Sequence, residues 1–208
     1  MPAGSDVDFE HRFEDALDEV PDDQFDRERF VPGTGPLDAT VMLIGEAPGE
    51  REIAEGVPFV GNAGRRLGSI LEDVGIDRDE LYVTNLVKVR VEGDADPTRD
   101  AIDAWRPVLS AELEAVDPDV VVPLGSFATH ELLPVDDGIS EIRGDPVELD
   151  GRTVAPTFPP AATFYDESKR PPLEEDLRTA AREAGLKQPG GGKADLKAVI
   201  EEIHNDVN

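Results

Sequence analysis

The chain has 208 residues, no cysteine, and 47 acidic against 20 basic residues, a formal charge of -27. That length suits one α/β domain with tails, and the missing cysteines exclude disulfides, thiolate catalysis and cysteine-held metals. No apolar run approaches the roughly 18 residues of a membrane span, and the acidic first ten residues lack a basic-then-apolar signal pattern, so a cytoplasmic protein with no membrane partner is expected.

In chain order, Phe9, Phe13, Leu17 and Val20 recur at helical spacing, predicting one amphipathic helix over residues 8–20 of an acidic N-terminal segment, 1–36. A Pro/Gly-rich turn at 31–36 leads to the apolar run 40–44, which stops at Gly45 and reads as a buried parallel strand. Residues 62–74 carry Leu67, Ile70, Leu71 and Val74 on one face and end at Gly75, a helix with its stop signal. A second strand is expected over 81–89, a helix over 98–116 with Ile102, Trp105, Leu109 and Leu113, and a third strand over 120–124. Residues 147–158 suggest a hairpin turned at Asp150-Gly151 whose second arm enters the sheet, and 173–186 a last core helix. Strands alternating with helices predict a three-layer αβα sandwich around a four-stranded parallel sheet. Behind a Gly-rich linker, Leu196, Val199, Ile200 and Ile203 mark a short C-terminal helix in 187–208, expected to dock on its own domain or on a partner.

The charge admits three readings: an acidic interaction protein, disorder, or adaptation to a salt-rich cytoplasm. Regular strand and helix signals oppose disorder. Few lysines and many small acidic side chains favour the third, because at about 1 M salt the Debye length is only about 3 Å and self-repulsion is screened. Charge therefore does not exclude DNA as a partner. His11, His130 and His204 stand apart, outside any ligand spacing, so no metal and no cofactor is expected.

In an open parallel sheet, ligands bind at the carboxyl ends of the strands. There Gly45-Glu46-Ala47-Pro48-Gly49 forms a rigid turn that lets backbone approach a ligand, though it is neither a dinucleotide nor a Walker loop. Phe59, between Gly56 and Gly64, is either core or a stacking platform for a flat base. Asn85, inside an apolar strand, needs partners; its amide offers a donor and an acceptor, matching the edge of uracil.

The combination is more specific. Gly45 to Gly49, Gly56 to Gly64, Val83-Thr84-Asn85-Leu86-Val87-Lys88 and Pro123-Leu124-Gly125, in this order and at these intervals, resemble family-4 uracil-DNA glycosylases. Ile139 to Gly144, Asp150-Gly151-Arg152 and Glu174-Glu175-Asp176-Leu177 continue the resemblance over residues 37–186. It implies hydrolysis of the uracil–deoxyribose bond in uracil-containing or damaged DNA after base flipping. Phe59 would stack on the base, Asn85 would read its edge, and the turn Gly45, Ala47, Pro48 and Gly49 would line the pocket. Glu46 would position water or stabilise the cationic sugar, with Glu50 a weaker alternative. Gly125 and Ser126 would offer donors to a phosphate, and the loop from Pro159, Pro160 and Ala161 to Tyr165 would enter the DNA groove.

Two departures stand out. The family's iron–sulfur cysteines are absent: Val89 and Trp105 occupy two of their positions and the N-terminal pair has no counterpart, so apolar packing is expected there. The family's His-Pro motif reads Pro159-Pro160, which removes a side-chain donor to uracil O2. A monomeric glycosylase is expected, with a catalytically silent DNA-binding module and a nucleobase or nucleotide binder as alternatives.

Overall fold

The computed structural model describes residues 6–90 and 96–186. Two short helices, α1 (Asp6–Arg12) and α2 (Glu14–Asp18), replace the single expected N-terminal helix. The apolar stripe survives the break, and Phe9, Phe13, Leu17 and Val20 are all buried. The core follows in the order β1 (Val41–Gly45), α3 (Glu50–Glu55), α4 (Asn62–Val74), β2 (Leu81–Asn85), α5 (Arg99–Val116), β3 (Val120–Pro123) and α6 (Ser126–Leu132). It ends with α7 (Ile139–Ile142), β4 (Val147–Leu149), β5 (Arg152–Val154), α8 (Ala162–Tyr165) and α9 (Arg170–Glu183). The expected linker and C-terminal helix at 187–208 lie outside the described residues.

The sheet order is β2-β1-β3-β5-β4. Four strands are parallel, and the fifth, β4, runs antiparallel to β5. The sheet therefore has one strand more than the four expected. The extra strand is the first arm of the hairpin, which turns through Asp150 and Gly151, both at positive φ, as a two-residue loop prefers. At the opposite edge, Thr34 exchanges backbone hydrogen bonds with Val83 at 2.9 and 2.7 Å, which covers β2.

Alternate residues of each strand face opposite layers, the period-two pattern of a sheet buried on both sides. Val41, Leu43, Leu81, Val83, Val120 and Val122 pack under α4 and α9. Met42, Ile44, Tyr82 and Val121 pack under α1, α2 and α5. On that second side Phe30 stacks on Trp105 at 5.9 Å and Phe25 meets its edge at 5.4 Å. Val89 belongs to the same apolar cluster and bridges to Phe30. Val89 and Trp105, where the resemblance would place cluster cysteines, thus offer aliphatic and aromatic packing with no thiolate, a donor set that does not fit an iron–sulfur cluster. Among the described residues, no group of three or more potential side-chain ligands could hold a metal ion, and no helix is long and apolar enough to cross a membrane.

Candidate active site

β2 is shorter than the 81–89 expected because the chain turns at its end. After Asn85 the amides of Leu86 and Val87 donate to the carbonyls of Gly45 and Glu46 at 2.9 and 3.1 Å. The carboxyl ends of β1 and β2 are thereby tied together, and Glu46 and Asn85 are brought to one place. A cavity of about 570 Å³ opens there, lined by Gly45, Glu46, Ala47, Gly49, Phe59, Asn85, Pro159, Pro160 and Ala161 among others. These nine come from four separate stretches of sequence. Pro48 lies in the same turn without lining the cavity, and Gly125 and Ser126 begin α6 behind Pro159.

Asn85 is 2% exposed, and its Nδ2 is buried without a hydrogen-bond partner. Leaving such a donor unpaired costs about 1–3 kcal/mol. Its Oδ1 and the Phe59 ring stand so close to Gly45 that any side chain at that position would collide with both. Phe59 holds φ at 56°, uncommon for a residue with a β-carbon. Gly64 lets this backbone settle, since a β-carbon there would overlap the Phe59 carbonyl. The pocket is thus three groups at van der Waals limits: a flat ring, an amide edge and bare backbone.

The strained loop has two supports that sequence reading missed. Glu52, buried on α3, accepts from the Gly49 amide at 2.6 Å, and the backbone N–H groups of Phe59 and Gly61 lie close enough to favour its charge. Burial pushes its pKa up against these donors and the nearby Arg78 charge, which pull it down. Arg78 in turn donates to the Pro58 carbonyl at 2.7 Å. Carboxylate and guanidinium therefore grip the loop by its donors and its acceptor respectively. Arg51, Arg65 and Arg90 also line the cavity, three cations gathered in a strongly acidic chain.

Glu46 is half-buried, and burial first, then the charge of Asp96, holds its carboxyl above the usual carboxylate range. The loop opposite is fixed from below. Thr157 donates to Asp176 at 2.6 Å, and Asp176 takes a bidentate pair from Arg143. Arg143 and Lys169 flank the Phe158 ring at 5.7 and 5.5 Å. The stretches around Arg143 and Asp176, far apart in sequence, thus meet beneath Pro159 and Pro160. The Gly125 amide donates to the Thr157 carbonyl at 2.8 Å, so the donors this pair can offer a phosphate are those of Ser126. His130 is exposed on α6, near the Asp137 carbonyl at 3.0 Å, and does not line the cavity.

A model of the "Uracil DNA glycosylase superfamily" matches residues 32–182. Type-4 uracil-DNA glycosylases are among the curated relatives. That of Saccharolobus solfataricus is 38% identical over 161 residues, covering 73% of this chain and 74% of the relative. That of Archaeoglobus fulgidus is 35% identical, covering 77% and 84%. That of Thermotoga maritima is 37% identical, covering 74% and 82%.

Proposed function

The chain belongs to the uracil-DNA glycosylase superfamily, and from that membership we propose that its cavity receives a uracil flipped out of DNA and hydrolyses the bond joining the base to deoxyribose. The observation that carries this reading is the buried, unpartnered Asn85 Nδ2 beside the Phe59 ring. A planar base stacked on Phe59 presents its edge to that amide. Uracil O4 accepts from Nδ2 and uracil N3–H donates to Oδ1. Cytosine presents an amine where uracil has O4 and is rejected, because a site built around paired polar groups discriminates strongly against a mispaired one.

Glu46, ionised, orients a water towards C1′ and stabilises the positive charge that grows on the sugar as the bond to N1 lengthens. The water oxygen forms the new bond to C1′, the bonding pair leaves with uracil as its anion, and the proton that the water sheds passes through solvent to that anion, giving neutral uracil. Pro159, at the position of the family's histidine, supplies no donor to the departing base, so the chemical step is slow relative to binding. The enzyme works as a cytoplasmic monomer on uracil-containing or related deaminated DNA, in high salt. Single-turnover excision from a uracil-containing strand in concentrated potassium chloride tests the reading. Release of uracil by the native chain, abolished in Asn85→Ala, supports it.

A second reading rests on Pro159 alone: a binding module that keeps the base pocket without the chemistry. Tight, uracil-dependent DNA binding with no release of base would favour it.

A further inference from the structure

A second cavity of about 360 Å³ adjoins the first, lined by Asn62, Arg65, Arg66, Ser69 and Phe164. Asn62 and Arg65 line both, so the two spaces form one path from the base pocket along α4 to α8. Phe164 is 49% exposed and Tyr165 beside it 93% exposed, an unusual display for large rings. The Arg66 guanidinium lies over the Phe164 ring at 5.2 Å. Its partner Glu167 reaches it at 3.3 Å through a solvent-exposed contact, the kind that contributes little and that a phosphate can displace. Exposed aromatics interleaved with arginines, in a chain whose overall charge repels polyanions, are the physical signature of a local single-strand track.

We propose that this groove holds the nucleotide next to the flipped one on the same strand. Phe164 stacks on the neighbouring base, and Arg65 and Arg66 take the phosphate that joins the two nucleotides. The occupant follows from continuity: Arg65 lines both spaces, so a strand whose base enters the first cavity can carry its next phosphate past it into the second. The inference rests on the proposed reading of the first cavity.

The test measures Kd by fluorescence anisotropy for labelled single strands that contain uracil. One has ordinary neighbours, one a baseless spacer on the 5′ side, and one a spacer on the 3′ side. The native chain should lose about 5- to 100-fold in affinity when one particular neighbour lacks its base. Phe164→Ala should bind the ordinary strand more weakly by the same factor and no longer distinguish it from the spacer strands. Arg66→Gln should lower the slope of log Kd against log salt by about 0.7, one phosphate on a single strand. Unchanged melting temperatures confirm that these exposed substitutions leave the fold intact. Indifference of the native chain to both spacers, or full spacer sensitivity in Phe164→Ala, overturns the proposal. A cytosine strand bound as tightly as the uracil strand would instead overturn the reading of the first cavity, while the spacer comparison still reports on the groove.

Discussion

The Lys88 Nζ donates to the main-chain carbonyl of Asn85 at 2.6 Å from a position wholly closed to solvent. It also donates to Thr84 Oγ1 at 2.6 Å and to Glu112 at 2.5 Å, and Glu112 accepts from Tyr82 and Thr84 at 3.1 and 2.9 Å. The end of β2, which aims the Asn85 amide, is thereby anchored to α5 by a closed polar network. Lys88→Met leaves the buried Glu112 charge with two hydroxyl donors and no counter-ion, and should cost about 3–5 kcal/mol in denaturant unfolding. Lys88→Met combined with Glu112→Leu should recover most of that loss, since an apolar pair replaces a charged one. Equal losses in the single and double variants would contradict the network.

Glu52→Gln tests the grip on the pocket loop. The amide replaces an ionised acceptor that takes the Gly49 amide and faces the backbone N–H groups of Phe59 and Gly61. Hydrogen bonds to charged groups contribute about 1.5–3 kcal/mol each, so affinity for a uracil strand should fall about tenfold or more. An unchanged Kd would show that the loop holds its shape without the carboxylate.

Glu46 sets an expected pH dependence. Burial and Asp96 raise its pKa, so a step that needs ionised Glu46 is fully present above that raised pKa and is lost as pH falls through it. Asp96→Asn removes one of the two causes and should move the acidic limb of the excision profile to lower pH. In about 1 M salt the Debye length is about 3 Å, and the difference between native and variant should shrink. A limb that stays in place or moves upward in the variant contradicts the assignment.

Pro159→His restores an imidazole donor at the edge of the cavity. The loop's hydrogen bonds use the carbonyls of Pro159 and Pro160 as acceptors for the amides of Ala162 and Thr163, and the substitution keeps both acceptors. The single-turnover rate on a uracil strand should rise about 100-fold, the typical effect of one preorganised donor. No gain, with DNA binding intact and no native excision, would favour the binding module.

Stability should rise with salt. Arg99 and Arg106 share Asp103 and Glu131 in one surface network, yet acids outnumber bases 47 to 20. Screening relieves the repulsion of that excess. The melting temperature should climb between about 0.1 and 2 M potassium chloride, a range over which the Debye length falls severalfold. A flat profile would remove the case for a salt-adapted surface.

Much of the fold was legible because its signals were local. Apolar runs ending in glycine marked β1 and β3, and the stripe from Leu67 to Val74 marked α4. Phe59 and Asn85 stood out as residues at odds with their surroundings. Glu52 did not, because an acid at the start of an acidic helix looks like surface until the loop folds back over it. Helical spacing across Phe13 hid the break between α1 and α2, since Phe13 and Leu17 still donate to the carbonyls of Phe9 and Phe13. The end of β2 was equally invisible: Leu86, Val87 and Val89 stay buried and apolar, and the Leu86 and Val87 amides still reach the carbonyls of Gly45 and Glu46, although the chain bends at Leu86. Asp176 gave no sign of its role, which depends on Arg143 33 residues away.

The packing of Phe25 and Phe30 on Trp105 joins the N-terminal segment to α5. Where a cluster holds such a junction, it depends on iron supply and on a reducing environment, and oxidation can undo it. Rings have no oxidation state to lose under ordinary conditions and need no assembly partner. This junction can therefore form as soon as the chain is made, and it persists in aerated, iron-poor surroundings. The same chemistry leaves it exposed in another way: contacts between rings weaken on cooling, as hydrophobic contacts do, and metal–thiolate bonds do not share that dependence.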